Sequence, residues 1–150
     1  MTQGFSLFLF LLFVVATGSA IGLVTAPGAW YGLLNKPTFT PPGWLFGPVW
    51  TLLYIMIAVT GWRLWTIGGS AGLKLLWMVQ MVLNFFWSPV FFGAQKPLLA
   101  LAVILALLLA ILMFLVVAWR QDRLSLLLFL PYGLWVGFAT ALNAAIVSMN

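Results

Sequence analysis

The stretch from Pro97 to Trp119 reads PLLALAVILALLLAILMFLVVAW and holds 23 consecutive residues without a charge. A helix of about 20 apolar residues crosses the hydrocarbon core of a bilayer, whereas a lone charge buried there costs several kcal/mol. The length and composition of this stretch therefore predict a transmembrane helix.

The ionisable side chains divide the rest of the chain in the same way. They stand at Lys36, Arg63, Lys74, Lys96, Arg120, Asp122 and Arg123, leaving uncharged intervals of 35, 26, 10, 21, 23 and 27 residues. Five of the six intervals are long enough to span a bilayer. We predict an all-α integral membrane protein with one domain over residues 1–150 and helices at about residues 5–24, 44–65, 73–92, 97–119 and 124–148.

The overall composition agrees with a lipid environment. With 65% hydrophobic and 5% charged residues, the chain lacks the polar surface that a soluble domain needs. The net charge of +5 does not indicate a nucleic-acid partner, because the basic residues stand singly near helix ends.

One connection is long. Residues 27–43 are rich in turn formers, including Asn35-Lys36-Pro37 and Pro41-Pro42-Gly43. The other connections are short, which favours an up-down bundle of neighbouring antiparallel helices. We therefore expect the 27–43 segment to act as a lid over one end of the bundle.

The basic residues favour one orientation. Four of them, Arg63, Lys74, Arg120 and Arg123, fall on the side of the N-terminus, against Lys36 and Lys96 on the other. The positive-inside rule then places the N-terminus in the cytoplasm and the long loop outside.

The chain lacks the usual catalytic residues. It contains no cysteine, no histidine and a single acidic residue, Asp122, at a helix boundary. We expect no metal site, no intrinsic cofactor and no nucleophile-base pair. Any reaction would have to draw its reactivity from the ligand, light or oxygen.

Aromatic and amide side chains form a stripe on the third helix. Trp77, Gln80, Asn84, Trp87 and Phe91 are three or four residues apart, which places them on one face. Amides at membrane depth should face the interior or a cavity. Two interpretations stay open: the stripe fastens helices together, or it forms the wall of a binding site.

Two other helices carry similar patterns. The second has Phe46, Trp50 and Tyr54 at four-residue spacing, and the fifth has Pro131, Trp135, Ala139 and Leu142. Trp50 and Trp135 lie well inside their helices, whereas Trp44, Trp62, Trp65, Trp77 and Trp119 are expected in the interfacial belt. These walls predict a cavity for a planar hydrophobic ligand such as a porphyrin, whose carboxylates would reach Lys36 and Lys96, or a sterol.

Small residues mark faces where helices approach closely. Gly18 and Gly22 form a GxxxG pair on the first helix. Gly133, Gly137, Ala141 and Ala145 repeat on the fifth helix, and Ala102, Ala106 and Ala110 on the fourth. Packing within one chain and homodimerisation compete for these faces.

Several blocks of sequence resemble one known family. They are Trp30-Tyr31, Leu34-Asn35-Lys36-Pro37, Pro41-Pro42-Gly43-Trp44, the run from Gly47 to Tyr54, Gln80 with Leu83-Asn84, the run from Trp87 to Gly93, Pro131-Tyr132, and finally Trp135, Phe138-Ala139-Thr140 and Leu142-Asn143. In this order they are similar to the tryptophan-rich sensory protein and translocator protein (TspO/MBR) family, once called peripheral-type benzodiazepine receptors.

The resemblance implies a function. Such proteins are five-helix membrane proteins, usually homodimers, that bind porphyrins such as protoporphyrin IX and aromatic drug-like ligands beneath the first loop. Carried onto matching positions, the pocket would use Trp30, Phe46, Trp50, Asn84, Trp87, Trp135, Ala139 and Leu142, to which the stripes add Tyr54, Gln80 and Phe91. In relatives, the tryptophans matching Trp50 and Trp135 are implicated in light- and oxygen-dependent porphyrin breakdown.

The chain departs from the animal members at its end. Those carry a cholesterol motif with a Tyr and an Arg after the Leu-Asn step, whereas this chain continues Leu142-Asn143-Ala144-Ala145 and has neither residue. We therefore do not expect cholesterol recognition by that motif. The short tail favours a bacterial member and a bacterial membrane.

Three functions follow from these residues. The leading hypothesis is binding of porphyrins for transport or sensing. The same cavity could instead degrade porphyrin photo-oxidatively, with Trp50 and Trp135 near the ring. In the third hypothesis, the amides and aromatics only pack, and the protein acts through partner proteins.

Overall fold

A computed structural model describes residues 2–150 of the chain. Within them, five helical spans are long and apolar enough to cross a membrane: Gln3–Val24, Gly43–Thr66, Ala71–Gly93, Pro97–Gln121 and Arg123–Met149. We call these spans one to five. The predicted all-α fold with five transmembrane helices is confirmed, and the boundaries differ from the predicted ones by a few residues.

Two spans contain a widened helical segment. Span one consists of Gln3–Leu11, a π-helical segment Leu12–Ala16, and Thr17–Val24. Span three runs as an α-helix over Ala71–Ser88 and continues as a π-helix over Pro89–Gly93. Pro89 has no N–H and cannot continue the α-helical ladder. The amide of Ala94 bonds to the Pro89 carbonyl at 2.8 Å, which closes the wider turn.

The predicted loop is partly helical. A short helix, Ala29–Leu33, lies inside it, and a 3-10 turn, Gly43–Leu45, leads into the α-helix Phe46–Thr66 of span two. The short helix forms because it lies between the prolines of the loop and has an aromatic face to bury. Its Trp30 and Tyr31 pack edge-on against Phe91 and Phe92, with ring centroids 6.0 and 5.3 Å apart.

The spans form a closed ring around a central interior. Span one contacts span two, two contacts five, five contacts four, four contacts three, and three returns to span one. Spans two and three also meet across the ring where Gly61 faces Trp77. A Cβ on Gly61 would lie 2.5 Å from Trp77 Cζ2, so only glycine permits this approach.

The half of the bundle around this crossing is solid. Phe114 and Phe129 stack there at 4.0 Å, and Ile57 and Ile111 are fully buried. Trp77 belongs to this core. It is only 5% exposed and donates its indole N–H to the Ile57 carbonyl at 3.0 Å. Its expected place in the interfacial belt is therefore wrong, because Gly61 opens a slot for the indole between spans two and three.

The single acidic residue joins three spans at this end. Asp122 Oδ1 lies 3.0 Å from Arg63 Nη2 at the end of span two, and it accepts the backbone N–H groups of Leu124 and Ser125 as the N-cap of span five. Partial burial raises the pKa of Asp122, but hydrogen bonds from Ser125 and Arg63 outweigh it and hold the pKa below its usual value.

The four glycines predicted to pack helices have different surroundings. A Cβ on Gly18 would meet the ring of Tyr54 at 2.4 Å, and one on Gly133 would lie 3.3 Å from Ile111 on span four. At Gly22 and Gly137, a Cβ would have none of the described atoms beyond its own helix within 4 Å. Of these four glycines, only Gly18 and Gly133 therefore mark close contacts within the chain.

Candidate ligand-binding cavity

The half of the bundle beneath the long loop is hollow. A cavity of about 670 Å³ lies between spans one, two, three and five, with span four at its floor and residues of the loop above it. This volume falls within the roughly 300–1,000 Å³ of sites that hold small molecules. The chain's own side chains therefore do not fill this half, while the third hypothesis, action through partner proteins, stays a prediction.

Aromatic rings form two walls of the cavity. Span two contributes Phe46, Trp50 and Tyr54, and span three contributes Trp87 and Phe91. Within each wall, neighbouring rings are tilted relative to each other. The ring centroids of Trp50 and Tyr54 are 5.4 Å apart with an interplanar angle of 31°, and those of Trp87 and Phe91 are 5.5 Å apart with an interplanar angle of 33°. Aromatic residues therefore line the cavity from two of its spans.

The floor of the cavity is aliphatic. The aliphatic residues that spans four and five supply are Ile104, Leu107, Val136, Ala139, Leu142 and Ile146, and span five also supplies Asn143. Within the described chain, no carboxylate, imidazole or thiol lines the cavity. The arrangement can hold a flat apolar molecule by burial and stacking, and it offers no acid-base pair.

A directed chain of hydrogen bonds leads from the cavity into the solid half. Tyr54 donates its hydroxyl to Asn84 Oδ1 at 3.2 Å, and Asn84 Nδ2 donates to the Tyr132 hydroxyl at 2.8 Å. Tyr132 in turn donates to Gln80 Oε1 at 2.8 Å, and Gln80 Nε2 donates to the Trp77 carbonyl at 2.8 Å. Gln80 thus fastens spans three and five together, whereas Asn84 does this and also lines the cavity.

A second polar contact fixes the indole of Trp87. Its Nε1 donates to Asn143 Oδ1 at 3.1 Å, and Asn143 Nδ2 donates to the Pro97 carbonyl at 2.9 Å. Spans three, four and five are therefore tied at the depth of the cavity. Because both the Oδ1 and the Nδ2 atoms of Asn143 form hydrogen bonds, the Trp87 ring is held in one orientation.

The loop above the cavity is held at several points. Asn35 and Asn150 exchange hydrogen bonds, with the Asn35 N–H donating to Asn150 Oδ1 at 3.0 Å and Asn150 Nδ2 to the Asn35 carbonyl at 2.9 Å. Lys36 Nζ donates to the carbonyls of Tyr31 and Leu34 at 2.7 and 2.9 Å. The cavity is thereby covered by a segment that is ordered by its own contacts.

The cavity is more open between spans one and two. Small residues line it there, with Ser19 and Gly22 on span one and Gly43, Gly47 and Thr51 on span two, and all five are exposed. Side chains of this size leave a gap that faces the lipid side of the bundle.

The structure places most of the predicted ligand-binding residues at this cavity. Eight of the eleven line it, namely Phe46, Trp50, Tyr54, Asn84, Trp87, Phe91, Ala139 and Leu142. Trp30 lies behind Phe91, and Gln80 is fully buried in the hydrogen-bond chain. The lining position of the eight is an observation, while their contact with a ligand stays a prediction.

Trp135 lies outside the main cavity. It lines a separate groove between spans two and five with Val49, Leu52, Leu53, Pro131, Leu134 and Phe138. The Phe46 ring packs edge-on against it at 5.8 Å. Val136, three residues before Ala139, takes the cavity-facing position on span five instead. Trp50 and Trp135 therefore line different hollows in this structure, and contact of either indole with a ligand stays a prediction.

Two residues of the site, Tyr132 and Asn143, were not predicted from the sequence. Tyr132 was quoted only as part of a motif, yet its hydroxyl joins Asn84 to Gln80. Asn143 was noted only as a neighbour of Leu142, yet it orients Trp87. Helical spacing contains a signal for both, because Tyr132, Val136, Ala139 and Asn143 recur every three or four residues on the buried face of span five.

Comparison with known proteins agrees with this architecture. The chain is similar to the tryptophan-rich protein TspO of Archaeoglobus fulgidus, with 44% identity over 93% of this chain and 94% of that protein. It is 37% identical to protein CrtK of Rhodobacter capsulatus, over 97% of this chain and 94% of the relative. It is 39% identical to the human translocator protein, over 76% of this chain and 70% of that protein. The pattern of one family matches residues 9–149, and with these relatives it shows that the chain belongs to the TspO/MBR family.

Proposed function

We propose that this protein binds flat, largely apolar ligands of the porphyrin class in the cavity beneath its long loop, in a transport or sensing role. The observation that carries the proposal is the cavity itself, which measures about 670 Å³ and is lined by aromatic residues of spans two and three. The names of relatives, a tryptophan-rich sensory protein and a translocator protein, support a role of this kind.

The chemistry of the lining favours a planar ring system. Trp50 and Tyr54 line the cavity from span two, and Trp87 and Phe91 line it from span three. Stacking on aromatic rings adds about 0.5–1.5 kcal/mol per aromatic pair beyond the burial of apolar area. A flexible acyl chain would gain the burial but not the stacking.

The experiment is a titration of the purified protein in lipid nanodiscs with protoporphyrin IX. It would follow the quenching of tryptophan fluorescence and the shift of the porphyrin absorption band. We expect saturable binding and a rise in the thermal unfolding temperature, because a ligand that binds only the folded state stabilises it. Replacing Trp50 by Ala should weaken binding about tenfold or more, since truncating a buried aromatic residue in a binding site costs about 2 kcal/mol.

Matched variants make the test specific to this cavity. Trp135→Ala removes an indole of the same size from the neighbouring groove, and Trp119→Ala removes an exposed one. Both should bind protoporphyrin IX nearly as tightly as the parent. If Trp50→Ala binds as tightly as the parent, or if the parent shows no saturation, the proposal is wrong.

Photo-oxidative breakdown of the bound ligand is a second candidate. The observation that favours it is the position of Trp50, which lines the cavity and packs against Tyr54 and Tyr132 at 5.4 and 6.4 Å. Such a cluster of oxidisable rings could supply electrons to an excited ligand in the presence of oxygen. If illuminated protoporphyrin bleaches at one rate with the parent, with Trp50→Phe and in empty nanodiscs, this candidate is excluded.

We also propose that the N-terminus is cytoplasmic. The proposal rests on the excess of Arg and Lys at the end of the bundle that holds Arg63 and Asp122. The chain has no cysteine, so a single cysteine at exposed Thr38 or exposed Ala71 can be labelled selectively. A membrane-impermeant thiol reagent added outside intact cells should label position 38 and not position 71, and the reverse result would invert the orientation.

A further inference from the structure

We infer that the turn between spans four and five carries a binding site for one anionic phospholipid, formed by Trp119, Arg120 and Arg123. The site lies at the end of the bundle away from the long loop, and it shares no residue with the cavity. The inference therefore does not depend on the proposed function. It comes from two arginines that lack a protein counter-ion and stand beside an exposed apolar face of span four.

The protein supplies no side-chain carboxylate for these two arginines. Asp122 is the single acidic side chain of the chain, and its Oδ1 accepts Arg63 Nη2 at 3.0 Å and the backbone N–H of Ser125. Its Oδ2 accepts the hydroxyl of Ser125. Both carboxylate oxygens are thus engaged, whereas Arg120 and Arg123 are exposed. Within residues 2–150, the anion that pairs with them has to come from outside the chain.

Trp119 positions one of these cations at the edge of the bilayer. The guanidinium carbon of Arg123 lies 5.4 Å from the centroid of the Trp119 ring. Trp119 ends the uncharged run of span four and is 60% exposed, as expected of an indole in the interfacial belt. The face of an indole attracts a cation without neutralising it. The guanidinium is therefore placed at the depth of the lipid headgroups and keeps its full charge.

An apolar stripe on span four leads from this corner toward the middle of the membrane. Leu112 and Val116 precede Trp119 by seven and three residues, so they lie on the same side of the helix, and both are exposed. Acyl chains can lie along this stripe while the phosphate of the same lipid stays near the arginines. A free phosphate ion would use the arginines alone, so the stripe favours a lipid.

Two neighbouring cations favour a headgroup with a net negative charge. A guanidinium binds phosphate through paired hydrogen bonds. In a zwitterionic lipid the amine of the headgroup competes for that phosphate, whereas a glycerol headgroup leaves the phosphate free. Each Arg or Lys near the membrane surface strengthens the binding of anionic lipid about fivefold. The expected ligand is therefore an anionic phospholipid such as phosphatidylglycerol.

The test is native mass spectrometry of the purified protein in a neutral detergent, titrated with dioleoyl phosphatidylglycerol or dioleoyl phosphatidylcholine. The proteins compared are the parent, Arg120→Gln, Arg123→Gln, the double variant with both replacements, and Lys74→Gln. Lys74→Gln is the matched control, since it removes one positive charge from the same end of the bundle, where Lys74 Nζ lies 5.8 Å from the centroid of the Trp65 ring.

We expect the parent to retain the first phosphatidylglycerol about tenfold or more tightly than phosphatidylcholine. Arg120→Gln and Arg123→Gln should each weaken the binding of phosphatidylglycerol about fivefold, and the double variant should bind the two lipids about equally. Lys74→Gln should match the parent for both lipids. The affinity for phosphatidylcholine should stay the same in all five proteins, which also shows that the variants are folded.

Three results would overturn the inference. If Lys74→Gln weakens the binding of phosphatidylglycerol as much as Arg123→Gln does, the attraction comes from the summed charge of this end and not from a site. If the parent retains the two lipids equally, the corner does not select an anionic headgroup. If inorganic phosphate alone, at millimolar concentration, displaces the bound phosphatidylglycerol from the parent, the arginines serve a soluble anion and not a lipid.

Discussion

Gly18 of span one and Tyr54 of span two are so close that a Cβ on Gly18 would lie 2.4 Å from two carbons of the tyrosine ring. Tyr54 lines the cavity, and its hydroxyl donates to Asn84 on span three. The absence of a side chain at residue 18 therefore determines where one wall of the cavity stands.

Replacing Gly18 by Ala should lower the stability of the protein and alter the cavity. The added methyl must displace the Tyr54 ring toward the cavity, and overpacking of this kind costs about 1–3 kcal/mol. We expect a lower unfolding temperature in detergent and weaker binding of protoporphyrin IX. Gly22→Ala is the matched control for stability, since a Cβ there would have open space around it. Equal unfolding temperatures for the two variants would contradict the prediction.

Replacing Tyr132 by Phe should also destabilise the protein. Its hydroxyl accepts from Asn84 and donates to Gln80, so the variant leaves two buried amide groups unpaired. Hydrogen bonds between membrane helices average about 0.6 kcal/mol and reach about 1.7 kcal/mol, and we expect a loss near the upper value. Tyr31→Phe is the control, because its hydroxyl has no hydrogen-bond partner among residues 2–150. A Tyr132→Phe protein as stable as Tyr31→Phe would show that the hydrogen bonds of Tyr132 contribute nothing measurable to the stability of the protein.

The ion pair between Arg63 and Asp122 predicts a simple acid response. Hydrogen bonds from Ser125 and Arg63 hold the pKa of Asp122 below its unfolded value, despite the opposing effect of burial. The stability from this lowered pKa is present above the unfolded value of about 3.9 and is lost as the pH falls through the folded value. Asp122 is the single side-chain carboxyl, and the chain has no histidine.

Thermal unfolding in detergent between pH 7 and pH 3 measures this response. We expect the unfolding temperature to fall in the acid part of the range for the parent. Asp122→Asn keeps an N-cap residue but loses the charge, so it should be less stable than the parent at pH 7 and nearly independent of pH. A variant with the same acid sensitivity as the parent would assign the response to another group.

We propose that the expected homodimer uses the outward face of span four. Gly133 is occupied by Ile111 within the chain, and Ala110 is buried, whereas Ala102 and Ala106 remain exposed. Small exposed residues four apart let membrane helices approach closely. Replacing both alanines by Leu should shift the protein toward the monomer in size-exclusion chromatography with light scattering. Ala20→Leu on span one is the control, and a dimer that survives the double replacement would assign the contact elsewhere.

The sequence located the helices well but the loop less well. The uncharged intervals gave the spans because the cost of burying a charge in lipid acts at each position independently of the fold. The helix at Ala29–Leu33 was missed, since its formation depends on Phe91 and Phe92, which are distant in sequence. The π-helical end of span three extends the predicted helix by one residue, to Gly93.

The site was predictable in kind and less so in detail. Helical spacing brought Asn84, Trp87 and Phe91 to one face, and they do line the cavity. The same spacing included Gln80 and Trp77, which lie in the solid half. The pattern gives the face of a helix but not the depth at which neighbouring helices separate, and this depth is set by contacts such as Gly61 with Trp77.

The amino-acid sequence by itself determined that this chain is a five-helix membrane protein with an aromatic, nearly uncharged interior. The length of the apolar segments and the spacing of the charges are local properties, and the cost of placing each residue in lipid depends on them directly. Only the tertiary structure decided which half of the interior is hollow, that Trp50 lines the cavity while Trp135 does not, and that Lys36 rather than Lys96 stands at its edge. Those facts depend on how closely particular pairs of helices approach, and the approach is set by residues far apart along the chain.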